Sequence, residues 1–219
     1  LLLSIGNGST IVFLNYRESV ERASAYLSEQ GFSVSAFHGG LDQRGRESAL
    51  YRFANGSACI LVSTDLGSRG LDIPDVENII HYHMPETKEA YLHRIGRTAR
   101  WDKNGRAFFI LATGEKIPDY VAGDIPNYSL SPKGMPARPR MTTLYIGKGK
   151  KDKISKGDLV GFLCKKGGLS KDDIGRIDVR DYYCYVAVNR SKAAEMLKKV
   201  RGEKIKGLRT LVEIAAPEA

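Results

Sequence analysis

The densest chemistry in the chain lies in eight residues, His93-Arg94-Ile95-Gly96-Arg97-Thr98-Ala99-Arg100. Arg94, Arg97 and Arg100 recur at intervals of three, a spacing that lets them share one side of a helical turn. A guanidinium is planar, permanently charged and forked, which suits the oxygens of a transferring phosphoryl group. An isolated basic string of this kind can equally be a solvated turn, but this one has company. Upstream, Ser63-Thr64-Asp65-Leu66-Gly67-Ser68-Arg69-Gly70-Leu71-Asp72 follows an apolar run. There a strand end delivers Ser63, Thr64 and Asp65 into a glycine-bearing loop. Small residues let backbone N–H groups approach phosphate oxygens, and Asp72 is suited to accept from a ribose hydroxyl. Earlier still come His38-Gly39-Gly40, Gln43-Arg44-Gly45-Arg46 and, opening the series, Ile11-Val12-Phe13-Leu14-Asn15-Tyr16-Arg17.

These strings need a frame, and the first half of the chain alternates apolar runs with helical patterns. Ile11 to Leu14 reads as a strand covered on both faces. Val20, Ala23 and Leu27 recur at helical spacing, with Gly31 where a C-cap glycine belongs. Strands are predicted at Phe32 to Phe37, Cys59 to Val62, Asn78 to Tyr82 and Ala107 to Leu111. Helices are predicted from about Asp42 to Phe53 and near Lys88 to Ile95. Strand–helix repetition with brief connections predicts a parallel α/β sheet, whose chemistry belongs at the carboxyl ends of the strands. His81 and His83 alternate along one strand and so face opposite ways, which argues against a shared metal ion; no metal site is expected.

In this order and spacing the strings resemble the second RecA-like domain of DEAD-box RNA helicases. Ile11 to Arg17 is similar to that family's motif IV and Gln43-x-x-Arg46 to its QxxR motif. Ser68 to Asp72 is similar to motif V and His93 to Arg100 to motif VI. Ala99 departs from the usual Gly, and His81-Tyr82-His83 departs from the usual Asp after Tyr. The resemblance implies Arg97 and Arg100 as arginine fingers at the ATP γ-phosphate, worth roughly 10³–10⁵ in rate in related phosphoryl transfers. It implies that His93 links the nucleotide and RNA sites. Asp72 and Gly70 would lie on the nucleotide side. Thr64, Arg69, Gly70, Gln43 and Arg46 would serve the RNA side. No GxxxxGK[ST] loop and no Asp-Glu-Ala-Asp string occurs in the sequence. ATP and Mg²⁺ are therefore expected to be held mainly by a preceding RecA-like lobe, and these 219 residues alone are expected to hydrolyse no ATP.

Charge divides the chain. Residues 1–126 hold 13 Lys and Arg against 15 Asp and Glu, a balance of −2, while residues 127–219 hold 21 against 10, a balance of +11 that outweighs the first part to give the net +9. A basic domain commonly meets nucleic acid. Residues 127–140, with Pro132, Pro136, Pro139 and Gly134, read as a linker between domains at 1–126 and 141–219. The second domain reads β-α-β-β-α-β, the ferredoxin-like α+β pattern of RNA-recognition folds. Tyr145 lies on its first strand. Alternation places Tyr183 and Tyr185 on one face, as a base-stacking platform with Tyr145, and Tyr182, Cys184, Val186 and Val188 on the other, against the helices. Lys148, Lys150, Lys151 and Lys153 read as a flexible cationic loop for phosphates.

Ile146 to Leu163 and Ile174 to Val188 resemble the C-terminal domain of the DbpA group of DEAD-box proteins. That resemblance implies binding to 23S ribosomal RNA and remodelling of RNA duplexes during large-subunit assembly. A non-enzymatic RNA-binding adaptor is the alternative. The chain begins without Met, which points to a fragment or a processed start. Three widely spaced cysteines, Cys59, Cys164 and Cys184, build neither a disulfide framework nor a zinc ribbon and suit the cytoplasm. No apolar run reaches the ~18 residues of a membrane span.

Overall fold

A computed structural model describes residues 1–65, 76–98 and 105–215. The chain forms two compact units, Leu1–Ala54 with Ala58–Arg138, and Pro139–Ala219 with Asn55–Ser57.

The first unit is built on strands β1 (Thr10–Phe13), β2 (Val34–Phe37), β3 (Ile60–Ser63), β4 (Asn78–His81) and β5 (Arg106–Phe109). They pair in parallel in the order β2-β3-β1-β4-β5, the RecA-like sheet expected. Helices α1 (Leu2–Ile5), α2 (Arg17–Glu29), α3 (Gln43–Ala54) and α4 (Lys88–Ile95) accompany it. Strands β1, β3 and β4 are buried at every position, because helices lie on both faces. Period-two alternation sorts the side chains. Ile11 and Phe13 join Phe37, Leu61 and Ile79 under Ala49 and Phe53 of α3. Val12 and Leu14 join Val34, Ile60, Val62 and Ile80 under Val20, Ala23 and Leu27 of α2. Gly31, at φ 86°, follows α2 in a conformation that glycine adopts without strain. Residues 127–138, read as linker, are irregular but belong to this unit. The Tyr128 ring stands edge-on to Phe108 at 5.1 Å, and the Ser131 amide donates to Ser4 Oγ at 3.0 Å.

The second unit runs β6 (Met141–Ile146), α5 (Lys156–Lys165), β7 (Ile174–Val179), β8 (Cys184–Asn189), α6 (Arg190–Val200), a hairpin of β9 (Lys204–Ile205) with β10 (Leu208–Arg209), and β11 (Val212–Ile214). The antiparallel order β11-β6-β8-β7 gives the ferredoxin-like α+β fold. Leu144, Ile146, Val186 and Val188 meet Leu159, Phe162 and Leu163 of α5 and Met196 and Val200 of α6. Ser155 caps α5, exchanging hydrogen bonds with Asp158. Asp173, nearly buried, accepts from Lys192 Nζ at 2.7 Å, from Ser170 and from Asn189, and these partners hold its carboxyl well below the usual range.

Two expectations need correction here. Strand β8 begins at Cys184, so the alternation that hides Cys184, Val186 and Val188 does not extend to Tyr182, which is 68% exposed. The lysine loop is an ordered 3₁₀ turn at Lys150–Asp152 rather than a flexible segment. The Lys150 amide donates to Arg180 O and the Lys151 amide to Asp181 O, both at 2.8 Å, and the Gly149 amide donates to Asp152 Oδ2 at 3.1 Å. The Arg180 and Asp181 backbones approach Gly149 so closely that any Cβ there would collide with their carbonyl oxygens.

Gly149→Ala should therefore cost the second unit about 1–3 kcal/mol in urea denaturation. Gly161→Ala, on α5 with open space around the added methyl, should be neutral or stabilising by up to about 1 kcal/mol.

Candidate functional site

In a parallel sheet the chain enters and leaves on opposite sides, and a crevice opens at the carboxyl ends where the strand order reverses. Here that place lies around the central β1, with β3 on one side and β4 on the other. Asn15 follows β1, Thr64 and Asp65 follow β3, and His83 follows β4. The crevice is filled from the side by Arg94 of α4, a fully charged group that is only 1% exposed.

A buried guanidinium must have each of its five N–H groups matched. Nε donates to Asp65 Oδ1 at 2.6 Å and Nη2 to Asp65 Oδ2 at 2.7 Å, a two-pronged ion pair. Nη2 also donates to Asn15 Oδ1 at 2.9 Å. Nη1 donates to the His83 carbonyl at 2.8 Å and lies 3.4 Å from His81 Nδ1. The ring of Phe13 lies beneath, 5.1 Å from Cζ. Asn15 extends the network, its Nδ2 donating to Met84 O and its amide to His83 Nδ1, both at 3.1 Å. His83 stands where an Asp was expected from the resemblance, and its ring nitrogen supplies an acceptor at that place.

His81 is 0% exposed and stacks on Phe109 at 4.5 Å. An Nδ1 that accepts from Arg94 leaves the ring proton on Nε2, which is buried without a partner. Burial, then the adjacent Arg94, pushes the pKa of His81 down to about 3, against a smaller opposing effect of Asp65. Burial and Arg94 also lower His83. His81 is therefore a neutral ring. Among the described residues no group of three or more His, Cys, Asp or Glu is placed to hold a metal ion.

Arg94 and Arg97 of the His93–Arg100 string do not share one side of a helical turn, because the helix ends between them. Helix α4 starts at an N-cap, Thr87, whose Oγ accepts from the Ala90 amide at 3.1 Å, and stops at Ile95 with Gly96 after it. Arg94 points inward one turn after buried Ala90, and Arg97 lies beyond the helix. Arg97 is half-buried; its amide donates to Arg94 O and its carbonyl accepts from the Val76 amide. His93 is exposed on α4, with Nε2 3.5 Å from Glu89 Oε1. Arg69, Gly70, Asp72 and Arg100 lie outside the described residues.

The RNA-side candidates form two groups. Thr64 is buried at the end of β3, its amide donating to Phe37 O at 3.3 Å. It adjoins Asp65, so Arg94 ties the Thr64 end of one string directly to the His93 end of the other. Gln43 and Arg46 sit one turn apart at the start of α3. Arg46 Nη2 donates to Gln43 Oε1 at 3.1 Å and Nη1 to Leu41 O at 2.6 Å, while Asp42 Oδ1 accepts from the Gly45 amide. Sequence reasoning missed Asn15, Asp65 and Arg94 as a network. The available signal was Ala90 with Arg94, four apart on the inward face of a short helix.

In the second unit Tyr145, Tyr183 and Tyr185 do cluster, with centroids 5.3–6.0 Å apart. Tyr185 is only 2% exposed, so it supports the other two rings and offers no face of its own. Lys148 pairs with Asp152 at 3.0 Å, a contact that also lowers the Asp152 pKa, whereas Lys150, Lys151 and Lys153 are exposed.

Comparison with known proteins gives two family matches. The helicase conserved C-terminal domain matches residues 1–102, and the DbpA RNA binding domain matches residues 143–214. The ATP-dependent RNA helicase DbpA of Escherichia coli (strain K12) is 38% identical over 214 residues, covering 94% of this chain and 47% of that protein. The protein of the same name from Bacillus subtilis (strain 168) is 30% identical over 236 residues, covering 94% of this chain and 49% of that protein. Rice DEAD-box ATP-dependent RNA helicase 21 is 43% identical over 107 residues, 49% of this chain and 14% of that protein. The chain spans about half the length of the two DbpA relatives.

The buried His81 ring makes the first unit acid-sensitive. An unfolded chain protonates His81 near pH 6.5, and the folded chain does so only near pH 3. Between those values stability should fall as pH falls, by about 1 kcal/mol per pH unit. Urea denaturation at pH 7, 6 and 5 measures this, and His81→Asn should flatten the slope.

Proposed function

The chain belongs to the DbpA group of DEAD-box RNA helicases, and from that membership we propose that it supplies the second RecA-like lobe and the RNA-tethering domain of an ATP-dependent RNA helicase. The observation that carries this reading is the Asp65–Arg94 ion pair, which joins the RNA-side string at Thr64 to the nucleotide-side string at His93 and Arg97. A lobe whose task is to feel RNA and ATP together needs those strings in one rigid arrangement.

In this reading Arg97 and Arg100 reach the γ-phosphate as arginine fingers, and His93 relays between the nucleotide and RNA sites. Asp72 and Gly70 serve the nucleotide's ribose side. Thr64, Arg69, Gly70, Gln43 and Arg46 receive the RNA backbone. The triphosphate and its Mg²⁺ are held mainly by another RecA-like lobe, since this sequence contains no phosphate loop; the 219 residues alone then hydrolyse no ATP. The position of Arg97 past the end of α4 suits a group that must reach out of its own lobe.

The basic second unit tethers the enzyme to 23S ribosomal RNA, and duplexes near the tether are remodelled during assembly of the large ribosomal subunit in the cytoplasm. Tethering raises the effective concentration of nearby duplex at the helicase core without new contacts to it. The +11 balance of residues 127–219 supports a polyanionic partner.

Arg97→Ala and Arg100→Ala, each in the longer protein that contains this chain, should lower RNA-stimulated ATP hydrolysis at least 10³-fold. Affinity for 23S ribosomal RNA should stay within about twofold. A longer protein that binds RNA without any ATPase activity would instead support the adaptor; equal loss of ATPase and affinity in the variants would contradict the division of labour.

A further inference from the structure

Tyr182 is the most exposed aromatic ring among the described residues of the second unit, at 68%, and it sits in the turn between β7 and β8. That turn is rigid. The Arg180 amide donates to Tyr183 O at 2.8 Å, closing it, and the Arg180 and Asp181 carbonyls accept from the Lys150 and Lys151 amides. The tyrosine turn and the lysine turn thus share two backbone hydrogen bonds, and Gly149 lets them approach. The residues that carry the ring and the ammonium groups therefore stand on adjoining turns at one end of the four-stranded sheet.

The charges on this rim are not equivalent. Lys148 is engaged by Asp152, and Arg180 Nη2 lies 3.3 Å from Asp178 Oδ2. Lys150, Lys151 and Lys153 are exposed and make no ion pair among the described residues. Lys153 adopts φ 60°, and its carbonyl accepts from Lys206 Nζ at 2.9 Å, an ammonium already paired with Asp158 Oδ2 at 3.3 Å. Meanwhile Tyr185 is buried on the sheet face, and Tyr145 and Tyr183 pack against it and each other.

We propose that an unpaired RNA base stacks on Tyr182 while Lys150, Lys151 and Lys153 neutralise the phosphates beside it, so that this unit reads single-stranded RNA at the end of its sheet. The proposal rests on the RNA-binding reading above and gives it a location. The backbone that carries the tyrosine is already fixed by hydrogen bonds, the ring is open to solvent, and every base has a π-face to offer. Lysines on an ordered turn hold their spacing as the strand passes. A duplex offers phosphates but no free base, so the rim discriminates unpaired from paired RNA.

The test uses the 219-residue chain with two fluorescein-labelled probes, a 12-nucleotide oligoadenylate and a 12-base-pair RNA duplex. Tyr182→Ala should weaken oligoadenylate binding by about 5- to 150-fold and leave duplex binding unchanged. Tyr182→Phe should restore it, since the ring and not the hydroxyl stacks. The double variant Lys150→Ala, Lys151→Ala should weaken both probes and reduce the salt slope for the single strand by about 1.4. Unchanged oligoadenylate affinity in Tyr182→Ala, or an equal loss for both probes, overturns the proposal. If the unaltered chain binds neither probe nor 23S ribosomal RNA, the RNA-binding reading itself fails, a result distinct from failure of the rim.

Discussion

A guanidinium sealed inside a protein tolerates few surroundings: each N–H needs an acceptor and the charge needs a counter-ion, because leaving either unmatched costs several kcal/mol. Arg94 meets that demand with Asp65, Asn15, the His83 carbonyl and the His81 ring. Those partners lie at or just past the ends of three different strands, so the carboxyl edges of β1, β3 and β4 are locked to α4 by one side chain. The rest of the first unit is arranged around that knot. Strand order supplies the crevice, Thr87 and Gly96 set the length of α4 so that Arg94 faces inward, and Phe13 and Phe109 close the apolar walls.

The knot also separates the buried arginine of the string from its half-buried neighbour. Arg94 is turned into its own domain, where Asp65 neutralises it, and so it cannot serve a phosphate. Arg97, three residues on and past the helix end, is positioned by backbone bonds to Arg94 and Val76. A string that looks uniform in sequence is thus divided by where the helix stops. Thr64 adjoins the counter-ion and His93 adjoins the cation, so one ion pair joins the two strings.

Much of this was legible. Ile11 to Leu14 and Ile60 to Ser63 are apolar because helices cover both faces of their strands, and that signal is local. The β-α-β-β-α-β order of the second unit was readable for the same reason. The Arg94 network was not, because its partners lie 11 to 79 positions away and no local pattern announces a buried charge. Tyr182 misled because period-two alternation holds only inside a strand, and β8 starts two residues later. The lysine turn looked flexible from its glycines, yet Gly149 is there to admit two carbonyl oxygens, which makes the turn rigid.

In both units a single close approach fixes an edge: a cation at the carboxyl ends of the parallel strands, a glycine beside the lysine turn. The first is the more demanding, and a double-mutant cycle tests it most directly. Arg94→Met, Asp65→Leu and the pair would be compared by urea denaturation at pH 7.5. The account predicts about 3–5 kcal/mol lost for Arg94→Met alone, with much of it recovered in the pair, a coupling of at least about 2 kcal/mol. Losses that simply add to within about 0.5 kcal/mol would show that Arg94 does not hold these strand ends together.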